Sequence, residues 1–177
     1  MKIEFIDNSA TQYDSNASEI KISNNQKYKL YFGDYLSASF VQLKHRNIKY
    51  VVCGSRDLFM FSKEPNVIYL NIDPNDDTKD IPRTYEFIEN SLKDGNILIH
   101  GEAGAAAIIL YYILVKNNTP LAITLKMLKR DRNFPNIRPN VVKYLLIKEK
   151  LQLSKNSVYL GGKGNFISLK KYFNIIN

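Results

Sequence analysis

The segment with the clearest potential for chemistry is a glycine-containing loop that joins a short apolar strand to an apolar helix. Residues 96–100 predict the strand, which ends in His100, and residues 105–117 predict the helix. Gly101 and Gly104 lie in the loop between them. Loop amides and a helix N-terminus together can bind an anion such as phosphate. The alternative interpretation is a tight turn that uses glycine for its geometry alone.

Few other residues have side chains that could carry catalysis or hold a metal. The only cysteine, Cys53, falls in a predicted strand, where burial favours a structural role. A single cysteine also excludes an intramolecular disulfide and a cysteine-based zinc cluster. The two histidines, His45 and His100, are too few for a multi-histidine metal site. We therefore expect no metal and no cofactor.

The composition indicates one basic domain. The chain has 177 residues, of which 45% are hydrophobic and 24% charged, and this is ordinary for a globular protein with a single core. Its net charge of +8 favours anionic partners such as nucleic acid, a phosphoprotein or a membrane surface. The longest apolar stretch, residues 103–115, is too short to span a bilayer. The N-terminus lacks a signal-peptide pattern, so we expect a cytoplasmic or nuclear protein.

The elements that must position the loop follow the order of an α/β domain. Four apolar segments predict buried strands, and they alternate with helical segments in which proline or a polar residue stands at the start. The strands are predicted at residues 28–32, 49–53, 67–72 and 96–100, and the helices at residues 39–46, 82–94, 105–117, 120–132 and 140–151. This alternation favours three layers, with a central, mostly parallel sheet flanked by helices.

The two ends of the chain leave alternatives open. Residues 1–27 are polar, and they predict either short edge strands or partial disorder. Residues 154–177 are rich in apolar side chains and contain a hairpin pattern around residues 161–164. So much apolar area must pack on the domain, pair with a second copy or bind a partner.

The loop resembles the signature of the cysteine-dependent dual-specificity phosphatases. Residues 98–109 read LIHGEAGAAAII, which is similar to VHCxxGxSRS at the histidine, at the central glycine and in the buried helix that follows. Four further segments resemble the family in the same order, at residues 29–38, 43–53, 69–81 and 137–140. The resemblance implies a phosphatase-like domain at residues 28–151, between an N-terminal extension, 1–27, and a C-terminal extension, 152–177.

The resemblance also implies that the catalytic residues are missing. A thiolate attacks phosphorus in this family, an arginine grips the phosphoryl oxygens, and an aspartic acid protonates the leaving oxygen. Here Gly101 occupies the nucleophile position and Ala107 the arginine position, whereas Asp76 matches the general acid. Two of three catalytic groups are therefore absent, and we predict no catalytic residue.

The degenerate phosphate loop is expected to bind phosphate weakly. It comprises His100, Gly101, Glu102, Ala103, Gly104, Ala105, Ala106 and Ala107. The resemblance gives His100 a structural, hydrogen-bonded role, and the negative charge of Glu102 opposes anions. The alanines are good helix formers, so the helix is expected to start early and leave a small, partly filled pocket. Pseudophosphatases of the STYX group also carry glycine for cysteine but generally keep the arginine, which this chain lacks.

These residues favour a pseudophosphatase that acts as a protein-binding or regulatory module. The alternatives are a structural, self-assembling subunit, and a residual phosphoester hydrolase that uses Asp76 and His100 on water. The composition suggests an AT-rich genome, viral or protozoan, and poxvirus members of the family dimerise through terminal segments, so a homodimer is one expectation.

A protein partner, either a phosphoprotein or an acidic protein, is expected to meet basic side chains of the later helices. A solvated helix face is the alternative interpretation of these residues, and the sequence has no base-stacking motif of a nucleic-acid module. The basic side chains are Lys126, Lys129, Arg130, Arg132, Arg138 and Lys143.

Overall fold

Short runs of aromatic and β-branched residues form a sheet, because such side chains fit a pleated, half-buried surface. The structure, a computed structural model, describes residues 4–6, 17–22, 26–55, 64–74, 77–131 and 137–157. Within these ranges the sheet has six strands. They are β1 (Glu4–Ile6), β2 (Ser18–Lys21), β3 (Leu30–Gly33), β4 (Ile48–Cys53), β5 (Ile68–Asn71) and β6 (Asn96–His100).

The sheet is mostly parallel, as the alternation of elements predicts. Its spatial order is β1-β2-β3-β6-β4-β5, and the pairs β3–β6, β6–β4 and β4–β5 are parallel. The pairs β1–β2 and β2–β3 are antiparallel. The register places His100 beside Gly33 on one side and Cys53 on the other. The carboxyl ends of the three central strands therefore meet at His100.

Helices cover both faces of the sheet and make the three predicted layers. They are α1 (Phe40–His45), α2 (Ile81–Ser91), α3 (Glu102–Asn117), α4 (Leu121–Asp131) and α5 (Pro139–Ser157). Leu98 of β6 packs in a small core with Leu43 of α1, whereas Ile97 and Ile99 pack in the main core with α2 to α5. This alternation along β6 follows from the period of two in a strand.

Helix α3 lies at the centre of the main core. All of its residues from Ala105 to Leu114 are buried, which confirms the prediction of a central helix from its uniformly apolar sequence. Across the part of the chain that the structure describes, no helix combines the length and apolar character needed to cross a membrane.

Three local predictions are wrong. The loop at residues 101–104 is reduced to Gly101, because α3 begins at Glu102. The apolar spacing of residues 39–46 predicts that Phe40, Val41 and Leu43 share the buried face of this helix, but only Leu43 is buried, since Phe40 is 51% and Val41 59% exposed. Strand β5 lies at an edge of the sheet and is half-exposed, although its sequence predicts a buried strand.

The ends of the chain extend both the sheet and the last helix. Strands β1 and β2 belong to the segment predicted as an N-terminal extension, and Ile20 and Ile22 are buried in the main core. Helix α5 continues to Ser157 rather than ending near Leu151. The predicted hairpin at residues 161–164 lies outside the described residues. The division into a domain and two extensions stays a prediction.

Asn96 joins three elements at the amino end of β6. Its Oδ1 accepts a hydrogen bond from the Lys29 amide at 2.9 Å, and its Nδ2 donates to the Arg46 carbonyl oxygen at 2.7 Å. We expect Asn96→Ala to lower the free energy of unfolding by about 1–2 kcal/mol, because both bonds are lost. Urea unfolding measures this, with exposed Asn66→Ala as the control. Equal stability of the two variants would show that the bonds contribute nothing.

Candidate functional site

The candidate site is the junction where β6 passes into α3. The strand ends at His100, and Gly101 turns the chain with φ +116°, a conformation that side chains other than glycine rarely adopt. Helix α3 then begins at once with Glu102. Five of the residues at 102–107 are alanine or glutamate, and alanine has the highest helix propensity. Residues expected to form a phosphate loop therefore form the first turns of a helix.

A second segment of backbone lies directly against these turns. The amide of Gly54, just after β4, donates a hydrogen bond to the His100 carbonyl oxygen at 2.8 Å. A Cβ on Gly104 would lie 1.8 Å from the Gly54 oxygen, and a Cβ on Gly101 would lie 2.9 Å from the Gly54 nitrogen. A Cβ on Gly54 itself would lie 2.5 Å from the Ala105 nitrogen. We call Gly54, Gly101 and Gly104 the three-glycine junction, since close backbone contact there requires glycine at each position.

The two positions that the resemblance assigns to the nucleophile and the arginine are both enclosed. Gly101 is buried within the junction, and Ala107 has no exposed surface. Ala105 and Ala106 are also fully buried, and all three alanines belong to the main core. A long polar side chain at residue 107 would have to displace core atoms, because protein interiors are close-packed.

His100 is buried as expected, but without the expected hydrogen bonds. Only 2% of its surface is exposed, and neither ring nitrogen has a hydrogen-bond partner. Burial lowers the pKa of His100 to about 4, and the nearby charge of Asp34 acts weakly in the opposite direction. The Asp34 carboxylate instead accepts hydrogen bonds from the amide and hydroxyl of Ser37. The imidazole is therefore neutral at pH 7.

Cys53 has the environment of a structural thiol. It is 1% exposed, and its Sγ donates a hydrogen bond to the Ser55 carbonyl oxygen at 3.2 Å. Burial raises the pKa of this thiol, and the charge of Asp73 acts in the same direction. A nucleophilic cysteine needs a lowered pKa, so this thiol is unsuited to attack on phosphorus.

The acidic side chains of the predicted site are only partly described. Asp76, which matches the general acid, lies outside the described residues, and nothing is described of the Glu102 side chain. The neighbouring Asp77 accepts a hydrogen bond from the Lys79 amide at 2.9 Å and caps a short 3₁₀ turn, Thr78–Asp80.

Of the residues predicted as a partner surface, Lys126, Lys129 and Arg130 belong to α4, Lys143 belongs to α5, and Arg138 lies directly before α5. Lys126, Lys129, Arg138 and Lys143 are exposed. Of the other two residues, Arg130 belongs to α4, without a described side chain, and Arg132 lies outside the described residues.

Gly54 is the residue of the site that sequence reasoning missed. A lone glycine after a strand predicts only a turn, and its contact with α3 joins residues far apart in the chain.

Comparison with known proteins shows what this chain is similar to. No protein-family model matches the sequence. A probable dual specificity protein phosphatase from Dictyostelium discoideum is 30% identical over 153 residues, which cover 72% of this chain and 66% of that protein. The match thus spans just under two thirds of the relative's length. The chain is therefore similar in sequence to a probable dual specificity phosphatase, and its fold agrees with that similarity.

Solved structures confirm the fold. The human tyrosine phosphatase-like serine/threonine/tyrosine-interacting protein superposes with a TM-score of 0.60 and 24% identity, over 70% of this chain and 93% of that one. Human DUSP28 superposes with a TM-score of 0.62 and 22% identity, over 70% of this chain and 90% of that one. At these identities the likeness concerns the fold, which is the predicted α/β class with a mostly parallel sheet and flanking helices.

Proposed function

We propose that this protein is a catalytically inactive member of the dual-specificity phosphatase family that acts by binding another protein. The observation that carries the proposal is the three-glycine junction. The family's reaction needs a thiolate above an open loop of amides, and here the backbone of Gly54 lies against the first turn of α3. Gly101 supplies no nucleophile, and its surroundings leave no room for one.

The phosphate-binding arginine of the family also has no substitute at its position. Ala107 is fully buried and apolar, so it offers a phosphate neither charge nor hydrogen bonds. His100 and Cys53 do not compensate, since both are buried and the thiol keeps its proton at neutral pH. A residual hydrolase would need at least one of these groups to reach substrate, and their burial speaks against it.

A binding role agrees with the character of one structural neighbour. The human protein with 24% identity is described as phosphatase-like and as serine/threonine/tyrosine-interacting, which names an interaction and not a reaction. A protein that has this fold but lacks the catalytic groups acts through the contacts that its surface makes. The expected partner is an acidic protein or a phosphoprotein, and a homodimer remains a further expectation.

We expect the purified protein to hydrolyse neither para-nitrophenyl phosphate nor phosphotyrosine peptides above the rate of a protein-free blank. The physical reason is the missing nucleophile and arginine, each of which supplies several kcal/mol of transition-state stabilisation. An Asp76→Ala variant is the matched control, and an active family member assayed in parallel shows that the conditions permit turnover. Turnover that disappears in the Asp76→Ala variant would overturn the proposal.

Oxyanion binding gives a second readout on the same protein. A mouse putative dual specificity phosphatase with 21% identity was solved in complex with zinc tungstate. We expect titration calorimetry of this protein with tungstate to detect no binding at millimolar concentration, because the amides of the first α3 turn lie against Gly54. Stoichiometric binding that Gly104→Ala abolishes would show an open oxyanion site.

A further inference from the structure

Helices α4 and α5 carry several exposed lysines. The side chains of Lys126, Lys129, Lys143 and Lys150 are all exposed. None of these four lysines has an ion-pair partner within the described part of the chain, whereas Lys49 pairs with Asp94 and Lys116 pairs with Glu89. Their positive charge is therefore available to a partner.

The acidic residue of α5 is turned inward. Glu149 of α5 is 1% exposed, and its Oε1 accepts a hydrogen bond from the Leu121 amide at 2.7 Å. It therefore caps the first turn of α4, where a carboxylate is favourable to the helix dipole. Of the charged side chains described on α4 and α5, the exposed ones are all positive.

Large aliphatic side chains are interleaved with these lysines. Ile123 of α4 is 53% exposed, and on α5 Ile147 is 51% and Leu151 52% exposed. The spacing of Lys143, Ile147, Lys150 and Leu151 places all four on one face of α5, since residues three and four apart are neighbours on a helix. We call these four residues of α5 the basic–apolar stripe.

We propose that the basic–apolar stripe docks an amphipathic acidic helix of a partner protein. This inference rests on the proposed function, because a chain without chemistry must act through a surface. A helix with leucines along one face and glutamates along both borders of that face complements the stripe in both hydrophobicity and charge. Its leucines cover the exposed aliphatic side chains, and its glutamates pair with unpaired lysines.

Charge separates this occupant from a segment of the same chain. Residues 158–177 are apolar, but they contain three lysines, Lys163, Lys170 and Lys171, and no acidic residue. They would bring positive charge to a positive surface, which is unfavourable. Two copies that meet stripe to stripe face the same repulsion. Neither the C-terminal segment nor a second copy of the chain is therefore a favourable occupant of the stripe.

The test is fluorescence anisotropy with the full chain and a labelled synthetic peptide of about 18 residues, long enough to form a helix of about 27 Å. The peptide carries leucine on one face and glutamate along both borders. We expect the double variant Lys143→Glu with Lys150→Glu to weaken binding about tenfold, through lost and reversed charge pairs. We expect Ile147→Ser to weaken it about fivefold, through lost apolar burial.

A matched control reverses the same amount of charge elsewhere. Lys79 and Lys93 are exposed and lie outside the stripe, so Lys79→Glu with Lys93→Glu should change affinity less than about twofold. Equal weakening by both double variants would overturn the proposal, as would equal affinity for a scrambled peptide of the same composition.

Two other macromolecules are assayed in parallel. They are phosphatidylserine vesicles and poly-uridine RNA. If either bound the stripe more tightly than the peptide does, the ligand of the stripe would be a membrane or a nucleic acid, and the inference would be overturned. Phosphatase turnover would overturn the proposed function without changing any of these binding curves, so the two failures are distinguishable.

Discussion

The double variant Gly101→Cys with Ala107→Arg, which restores the catalytic residues of the family, is expected to lose stability and to remain inactive. Gly101 has φ +116°, and a Cβ there would lie 2.9 Å from the Gly54 nitrogen. The backbone conformation alone costs about 1–3 kcal/mol for a residue with a side chain. Ala107 is fully buried, and an unpaired buried guanidinium costs several kcal/mol more. Urea unfolding and aryl phosphate hydrolysis measure the two outcomes.

A milder variant keeps this prediction testable if the double variant does not fold. In Gly104→Ala the new Cβ would lie 1.8 Å from the Gly54 oxygen, so the backbone must shift. We expect a loss of about 1–3 kcal/mol in the free energy of unfolding, the range typical of overpacked cores. Ala103→Ser, in the same turn but partly exposed, should change it by less than about 0.5 kcal/mol. A folded double variant with phosphatase activity would contradict the closed junction.

The buried parts of the fold could be predicted because their own residues show the apolar pattern of a buried helix or strand. Helix α3 is apolar on all sides, and only a central helix can bury such a surface. Strand β6 has an unbroken apolar centre, which is typical of a parallel strand covered on both faces. The order of such segments is enough to indicate a layered α/β domain with a mostly parallel sheet.

Residues near the surface could not be predicted in the same way. Helix α1 has only six residues, so its apolar spacing defines no clear face. Phe40 and Val41 are exposed there, while Gln42 is buried. Strand β5 has a buried-type sequence, but strand order decides its exposure, and that order depends on contacts far apart in the chain.

The candidate site combines both situations. The identity of the residues at the predicted nucleophile and arginine positions, Gly101 and Ala107, can be read directly from the sequence. The close packing at the junction could not be predicted, because it depends on Gly54, which follows β4 and is far from α3 in the sequence. Both situations also hold for His100, whose burial agrees with its place at the end of a central strand. Its ring nitrogens have no hydrogen-bond partner among the described residues, and the sequence did not predict this.

This buried imidazole is expected to make the protein unstable in mild acid. The pKa of His100 is about 6.5 in an unfolded chain and is lowered by burial to about 4 in the folded protein. Between these values the unfolded chain binds a proton that the folded protein does not, so stability is complete above pH 6.5 and falls as the pH drops towards 4. The loss from this one group is about 3 kcal/mol. Urea unfolding at pH 7 and at pH 4.5 measures it.

Replacing the imidazole separates its contribution from that of the carboxyl groups, which also titrate in acid. His100→Leu removes the titrating group and both unpartnered ring nitrogens. We therefore expect the stability of this variant to fall much less between pH 6.5 and pH 4.5 than the stability of the natural protein. It should also be at least as stable as the natural protein at pH 7, because no hydrogen bond is lost. His45→Leu changes the exposed histidine of α1 and should keep the full pH dependence. An unchanged pH dependence in His100→Leu would show that the buried imidazole is not its source, whereas a large loss of stability at pH 7 would show that the ring nitrogens are bonded in solution.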